Sequence, residues 1–228
     1  MDTMDEVNTS GGKVVRDYCV SDGVLRHEDV SRLRPSFLAE PLYLLRERYD
    51  NDGYIYMKGL LQQPTTEALL SNPPNCGPSS CDCMNCPSKA QTCDAQELNV
   101  AELTNFVAAL MSKNKAGSPA PQEDSKSAKK TTSPARAWLC LSYFHPQGGG
   151  PIFLSRPSKG PGPQRDSPTD ATQRKPLQLA RELERRWLVA TYEAGDVVLY
   201  QPDIIAAPTN NCDPKRRPSR GMEVVFPT

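Results

Sequence analysis

The chain has 228 residues, with 27 basic and 27 acidic side chains, 37% apolar residues and 7% aromatic residues. A formal net charge of zero at neutral pH excludes a global attraction to nucleic acid or to an anionic membrane, so neither is expected as a partner. The 22 prolines, about twice the usual share, predict long stretches outside helices and sheets and therefore a packed core smaller than the chain length suggests.

The chain start, MDTMDEVNTSGGK, shows neither an apolar signal segment nor an Arg-rich amphipathic pattern, and no apolar run approaches the ~18 residues of a membrane span. We therefore expect a cytoplasmic protein without a membrane-spanning segment. In that reducing compartment the eight cysteines are expected as free thiols or metal-bound thiolates rather than as disulfides.

Composition divides the chain into four kinds of segment. We predict an N-terminal arm at residues 1–36, a Cys-rich insertion followed by a helix at residues 62–117, a disordered linker at residues 118–135, and one β-rich domain formed by residues 37–61 and 136–228. The linker is assigned because it is rich in Ser, Pro, Lys, Glu and Asp and almost lacks large apolar side chains.

The segment Phe37–Leu61 has the pattern of a helix that enters a strand. Apolar side chains recur at helical spacing from Leu38 to Tyr49, Gly53 breaks the helix, and an aromatic, β-branched run begins at Tyr54. A second helix is predicted further on, with Asp94 and Glu97 as its N-terminal capping pair and an apolar face formed by Leu103, Phe106, Val107, Leu110 and Met111. That face is expected either to pack on the core or, if uncovered, to bind a partner.

Strand signals dominate the last hundred residues. They are Ala137–Phe144, Ile152–Leu154, Trp187–Tyr192, Val197–Tyr200 and Val224–Phe226, and Pro176 opens a short helix among them. The predicted fold class is therefore mainly β with flanking helices, arranged as an antiparallel, sandwich-like sheet.

Three blocks of this sequence resemble one family. The stretch LLRERYDNDGYIYMKGLL at residues 44–61 resembles the opening of phytanoyl-CoA-dioxygenase-type proteins, especially fungal ones of secondary metabolism. The Trp138–Leu154 region with its Gly-Gly turn, and the run Arg186–Tyr200, resemble later core strands of the same family in the same order. The resemblance implies a partial double-stranded β-helix of jelly-roll type and oxidation of a small apolar substrate. It also implies Fe(II) held by two histidines and a carboxylate, with 2-oxoglutarate held by an arginine.

The ligands that the resemblance requires are scarce in this chain. The two histidines are His27, in a His-x-Asp pattern with Asp29, and His145. His27, Asp29 and His145 are therefore the candidate iron triad. The family, however, places its His-x-Asp after the first block rather than before it. In addition, Ala206 stands at the position where the family's distal histidine is expected. The alternative is that these three are surface residues. Arg217 fits the oxoglutarate arginine best, with a solvated basic loop as the alternative.

The resemblance therefore implies a degenerate family member that lacks its own iron triad. Such a chain is expected to act as a partner subunit, in a heterodimer with a catalytic homologue or in a homodimer, because a retained sheet can still bury apolar surface.

A cysteine cluster gives an alternative function. Five cysteines fall within 18 residues, and Cys76, Cys81, Cys83 and Cys86 match the soft tetrahedral ligand set of Zn²⁺ or a small Cu(I) cluster. The motif resembles that of fungal copper-responsive regulators, except that no histidine follows Cys86. The alternatives are a non-enzymatic metal-binding or regulatory protein, free thiols in a disordered insertion, or a gene model that retains introns or has lost core exons.

Overall fold

The computed structural model describes residues 17–72, 91–94, 100–112, 135–144, 148–157, 175–212 and 219–226. Within these residues the strands are β1 (Tyr18–Val20), β2 (Gly23–Leu25), β3 (Val30–Arg32), β4 (Pro35–Ser36), β5 (Tyr54–Met57), β6 (Gln91–Asp94), β7 (Ala135–Cys140), β8 (Gly148–Leu154), β9 (Trp187–Val189), β10 (Val197–Tyr200), β11 (Ala206–Asn211) and β12 (Gly221–Phe226). The helices are α1 (Leu42–Asp52), α2 (Gln63–Ser71), α3 (Ala101–Met111) and α4 (Pro176–Glu182).

Two sheets form the body of the molecule. One has six strands in the order β4-β5-β10-β7-β12-β6, and the other has four in the order β11-β8-β9-β3. The central strand β10 is buried along its whole length and pairs antiparallel with β5 and β7. Such a strand needs apolar side chains on both faces, which the run Val197–Tyr200 supplies.

The pairing is not antiparallel throughout, and that prediction is wrong in part. Strand β4 pairs parallel with β5, β6 with β12, and β3 with β9. Each pair joins strands separated by a long connection rather than by a hairpin, which is what parallel pairing requires.

The two sheets face each other across a shared interior. Tyr54, Tyr56, Trp138 and Val198 of the six-stranded sheet pack there against Phe153 and Leu188 of the four-stranded sheet. Alternate residues of the same strands, such as Ile55, Leu139 and Leu199, point to the opposite face, where helices cover them.

Helices cover the outer face of the six-stranded sheet. Leu103, Val107 and Leu110 of α3 are buried there, and Phe106 is partly buried against the same cluster. The reading of this helix as an uncovered partner-binding face is therefore wrong, because the face is core. The predicted capping pair is also wrong: α3 begins at Ala101 after Val100, and Asp94 lies in β6.

The outer face of the four-stranded sheet is covered by a hairpin and α4. Strands β1 and β2 pair with each other, and Tyr18, Val20 and Leu25 pack with Leu179 and Trp187. From Tyr18 onward, the N-terminal arm predicted over residues 1–36 is therefore part of the packed structure.

The fold class is confirmed: the described residues form a mainly β, jelly-roll-like sandwich of two sheets flanked by helices. The predicted linker over residues 118–135 lies outside the described residues except for Ala135, which begins β7. None of the described helices has the length and apolar character needed to cross a bilayer.

Candidate functional site

Aromatic rings fill the interior between the sheets. The ring of Trp138 lies 5.0 Å from that of Phe144 and 4.8 Å from that of Tyr192, measured between centroids. Further along, the rings of Phe153 and Tyr200 lie 5.1 Å apart. Edge-to-face and tilted contacts of this kind are favourable beyond the area they bury, so the interior is a packed aromatic core.

A buried carboxylate closes one end of this interior. Asp196 is 1% exposed and sits in the turn before β10. Its Oδ2 accepts hydrogen bonds from the Tyr56 hydroxyl (2.8 Å), Lys58 Nζ (2.7 Å) and the Glu193 amide (2.9 Å), and its Oδ1 accepts one from the Gly59 amide (3.0 Å). Four donors therefore satisfy the charge, which makes its burial tolerable.

Gly195 makes this turn possible. Its φ of 94° lies in the left-handed region, and a Cβ at this position would overlap the carbonyl oxygen of Leu61. The close approach of the two backbones allows a hydrogen bond, in which the Leu61 amide donates to the Gly195 carbonyl at 3.0 Å. The turn is thereby fixed to the end of β5.

Three ionisable side chains around Asp196, those of Tyr56, Lys58 and Cys140, each have a raised pKa. Burial, then the Asp196 charge, raises the pKa of the Tyr56 phenol and of the Cys140 thiol well above their usual ranges. Burial alone would lower the pKa of Lys58, but the hydrogen bonds to Asp196 and Glu193 outweigh it and raise that pKa. Since a thiolate is the reactive form of cysteine, the burial and the raised pKa of Cys140 disfavour its reaction as a nucleophile.

A second polar group faces the interior from the same sheet. Glu223 lies on β12 between Met222 and Val224, which point to the helices, so its own side chain points between the sheets. The Tyr200 hydroxyl donates a short hydrogen bond to Glu223 Oε1, and Arg136 Nη1 lies 3.5 Å from the same oxygen. Burial, then the Glu223 charge, holds the Tyr200 pKa well above its usual range.

The tyrosine–glutamate–arginine group reaches solvent through the side chain of Arg136. The Arg136 side chain is 44% exposed and that of Glu223 is 19% exposed. The guanidinium can attract an anion, whereas the carboxylate is already paired with it.

One pocket lined by described residues lies on the other side of the aromatic core. Its walls include Tyr18, Phe144, Gly150, Tyr192 and Thr209, and its free volume is about 10 Å³. A volume of this size holds about one water molecule.

The predicted iron ligands are not assembled by the described residues. The His27 side chain is 71% exposed, and its Nδ1 lies 2.8 Å from Glu28 Oε2. Asp29 is buried, and its Oδ2 accepts a hydrogen bond from the Arg26 amide, which closes a local turn. His145 lies outside the described residues, so the triad His27, Asp29, His145 stays a prediction.

Ala206 bears on whether the residues present fit an iron centre. It begins β11, pairs with Phe153, and packs against the interior cluster. A methyl group at this inward position offers no ligand atom. Within the described ranges no three His, Cys, Asp or Glu side chains are grouped as a metal site, so these ranges do not fit the iron that the resemblance implies.

The remaining predicted ligands lie outside the described residues. These are Arg217 for 2-oxoglutarate and Cys76, Cys81, Cys83 and Cys86 for Zn²⁺ or Cu(I), and their roles stay predictions.

The expectation of free thiols is wrong for two cysteines. Cys19 and Cys212 form a disulfide, with their Cα atoms 6.5 Å apart and a sequence separation of 193 residues. The sequence did not predict this pair because the fold alone brings β1 beside the end of β11. Cys140 is free and buried, as expected.

The two polar groups were missed at the sequence level, although each had a signal. Tyr56 lies in β5 and Lys58 follows directly after the strand, two residues further on, and Asp196 precedes the buried run of β10. Arg136 and Glu223 are charged residues inside apolar strands. Their partners lie far away in sequence, so the pattern marks the residues without showing their pairing.

No protein-family model matches the sequence, and no curated protein matches it. Solved structures that match include the non-heme alpha ketoglutarate dependent epimerase SnoN from nogalamycin biosynthesis, at 16% identity and TM-score 0.46, with 81% of each chain covered. SnoN in complex with Fe³⁺, alpha ketoglutarate and nogalamycin RO matches at 15% identity and TM-score 0.43, with 80% of each chain covered. The carbocyclase SnoK matches at 12% identity and TM-score 0.49, over 84% of this chain and 86% of that chain. None of these similarities assigns the chain to a family.

Proposed function

We propose that the chain is a degenerate 2-oxoglutarate-oxygenase-like protein of secondary metabolism, of the phytanoyl-CoA-dioxygenase type, which serves as a non-catalytic subunit. Its role is to bind a catalytic homologue, or a second copy of itself, in the oxidation of a small apolar substrate. The observation that carries the proposal is the interior: aromatic rings and Ala206 occupy the space between the sheets.

The positions of the family-like blocks support the ancestry. The first block forms α1 and β5, the second includes β7 and β8, and the third forms β9 and β10. These blocks are distant in sequence, yet β10 pairs with both β5 and β7, and β8 pairs with β9. The resemblance therefore describes the contiguous centre of the sandwich rather than scattered segments.

The packing of the interior supports the loss of chemistry. A facial triad needs three donors around an open position. Here Ala206 lies beside Phe153, whose ring contacts Tyr200, and the Trp138, Phe144 and Tyr192 rings fill the space behind them. Among the described residues these rings pack against one another, which supports an interior filled by side chains.

Anaerobic titration with Fe(II) and 2-oxoglutarate tests the proposal. We expect no charge-transfer absorption and no stoichiometric iron retention by the full chain. Tight one-to-one binding with that absorption would contradict the proposal. In that event, loss of the band in His27→Ala, Asp29→Ala and His145→Ala, compared one by one, would establish the triad.

The subunit role has its own measurement. The mass of the purified chain in solution, alone and mixed with a catalytic homologue from the same source, is expected to exceed that of the monomer in at least one of the two samples. A monomer in both samples at micromolar concentration would contradict it.

A further inference from the structure

We propose that the exposed side chains of residues 32–50 form a dimer face, on which a second copy of this chain packs against Phe37, Leu38 and Tyr43. The dimer is one form of the proposed subunit role and rests on that role. Three features of the molecule support it: the edges of the two sheets, an apolar turn held by polar contacts, and opposite charges on two neighbouring elements.

One side of the sandwich ends in two short edge strands. Strand β3 is the last strand of the four-stranded sheet, β4 is the last strand of the six-stranded sheet, and only Leu33 and Arg34 separate them in sequence. Edge strands leave backbone groups that another chain can approach. Here the strands have three and two residues, and Pro35 of β4 has no amide donor, so the addition of a further strand is disfavoured. A partner on this side is therefore expected to contact side chains rather than to extend a sheet.

Exposed apolar side chains follow directly after β4. Phe37, Leu38 and Tyr43 are 51%, 60% and 66% exposed, and they are three of the six large apolar side chains that are exposed in the described part of the chain. Their proximity in sequence distinguishes them, because apolar residues scattered singly over a surface are ordinary. Large aromatic side chains in such a position are typical anchors of protein–protein interfaces.

The turn that carries Phe37 and Leu38 is held by polar contacts on both sides. The Glu40 side chain accepts a hydrogen bond from the Phe37 amide at 2.9 Å, and the Glu40 amide donates to the Phe37 carbonyl at 3.0 Å. The Arg48 guanidinium pairs with Glu40 and donates to Ser36 Oγ at 2.8 Å, which ties the turn to α1 and β4. A turn fixed in this way loses little conformational freedom on binding, so its apolar side chains are pre-organised for a contact.

Two elements of the dimer face carry opposite charges. Arg32 and Arg34 are exposed on the edge segment, and Glu47 and Asp50 are exposed on α1. Tyr43, Glu47 and Asp50 follow one another at helical spacing and therefore share one face of α1. Within the described part of the chain, none of the four charged side chains forms a hydrogen bond or an ion pair. They are therefore available to a partner.

A second copy fits this charge pattern better than a partner of a single charge sign. A two-fold contact is isologous, which means that each contact between the copies occurs twice with the roles of the copies exchanged. A two-fold axis that passes between the edge segment and α1 places Arg34 of each copy opposite Glu47 of the other. The copies then neutralise each other's charges around the buried apolar side chains, whereas a partner of one sign would repel one of the two elements.

Sedimentation equilibrium of the full chain tests the dimer. At about 100 μM we expect a reversible monomer–dimer equilibrium, since the face has fewer residues than the ~20–30 per side of a standard interface. Leu38→Ser should raise the dissociation constant about tenfold or more. The matched control is Val24→Ser, which changes an exposed apolar residue of β2 and should leave the constant unchanged. A monomer at that concentration, or equal effects of the two substitutions, would overturn the proposal.

Charge reversal tests the two-fold arrangement. Arg34→Glu and Glu47→Arg each place like charges opposite one another, so each should raise the dissociation constant about tenfold or more. The double variant R34E/E47R restores opposite charges at both contacts and should return the constant to within about threefold of that of the unmodified chain. A double variant that keeps the circular dichroism of the unmodified chain but does not recover the dimer would overturn the arrangement.

The outcomes distinguish the dimer from the proposed function. A chain that stays monomeric alone but binds a catalytic homologue would overturn the dimer and leave the proposed subunit role standing. Retention of iron with a charge-transfer band would contradict the non-catalytic role, whereas the sedimentation measurements use neither iron nor 2-oxoglutarate.

Discussion

At the scale of single residues, Asp196 carries the most polar contacts in the described part of the interior. It is buried, and it joins the turn before β10 to Tyr56 and Lys58 of the neighbouring strand end. Lys58 binds a second carboxylate, Glu193, at 2.7 Å, but the Glu193 side chain is 65% exposed. Lys58 therefore pairs with one buried carboxylate, Asp196, and one exposed carboxylate, Glu193, so that substitutions of the two can be compared directly.

Replacing Asp196 with asparagine should cost about 2–4 kcal/mol of the free energy of unfolding. The amide keeps the shape but removes the charge that compensates Lys58, and its NH₂ group then faces donors. Urea denaturation gives the number. The control Glu193→Gln should cost only about 0–1 kcal/mol, because solvent already screens that pair. Similar losses in the two variants would contradict the assigned role of Asp196.

At the scale of elements, local sequence patterns were sufficient to predict helices and strands that are determined by one continuous stretch of chain. The helix predicted between Leu38 and Tyr49 is found as Leu42–Asp52, and it ends at Gly53 in the left-handed conformation, as expected. The strand after it is also found where predicted. The β1–β2 hairpin was missed, because its three-residue strands show no clear alternation and its burial comes from distant residues such as Leu179 and Trp187.

A comparison of two glycines with positive φ distinguishes the stability cost of backbone strain from the stability cost of steric overlap. At Gly53, φ is 78° and a Cβ would lie 2.6 Å from Ile204 Cδ1 and 2.7 Å from Arg156 Nε. At Gly59, φ is 58° and nothing lies within 4 Å of the same position. Gly59→Ala should cost about 1 kcal/mol from conformation alone. Gly53→Ala should cost about 2–4 kcal/mol, since Arg156 must also leave the helix end.

Equal costs of Gly53→Ala and Gly59→Ala in thermal denaturation would show that the contact with Arg156 is unimportant. The expected loss at Gly53 follows from what Arg156 does there. Its Nη1 donates to the Asp50 carbonyl at 2.7 Å, and its Nη2 lies 2.9 Å from Asp203 Oδ2. Arg156 thereby joins the C-terminus of α1 to the loop after β10.

Close packing between neighbouring strands gives another prediction at this scale. Gly221 of β12 lies under the Trp138 indole, and a Cβ there would come within 2.5 Å of Trp138 Cζ2. Gly221→Ala should therefore destabilise the protein by about 1–3 kcal/mol. In the background of Trp138→Phe, which removes Trp138 Cζ2, the same change should cost less, with a remainder because the Cβ would still lie 3.0 Å from the Leu139 carbonyl oxygen. A double-mutant cycle measures the coupling, and zero coupling would contradict the contact.

At the scale of the whole molecule, the sequence predicted the fold class but not the pairing of strands. The mainly β sandwich followed from strand signals around residues such as Trp138 and Val197, which are readable locally. The parallel edge strands did not follow, because their partners lie across long connections. Of the candidate site, the sequence singled out Ala206, which packs against the interior cluster, whereas it did not show the Tyr200–Glu223 pair, which depends on a contact between strands that are not adjacent.

The buried phenols make the whole molecule sensitive to alkali. Burial is the main cause that raises the pKa of five tyrosines, which are Tyr49, Tyr54, Tyr56, Tyr192 and Tyr200. A raised folded pKa means that the folded state keeps its protons where the unfolded chain, with phenol pKa values near 10, begins to lose them. The contribution to stability is therefore complete below about pH 10 and is lost as the pH rises above it.

We expect cooperative alkaline unfolding above about pH 10, in which phenolate absorbance and loss of near-ultraviolet circular dichroism change together. Each buried phenol steepens the fall of the free energy of unfolding by up to about 1.4 kcal/mol per pH unit. Tyr192→Phe should reduce that slope by about one such increment, because Tyr192 is buried in the interior cluster. If all phenols titrated near pH 10, as free phenols do, while the near-ultraviolet circular dichroism stayed intact, this would contradict the packed aromatic interior on which the proposed function rests.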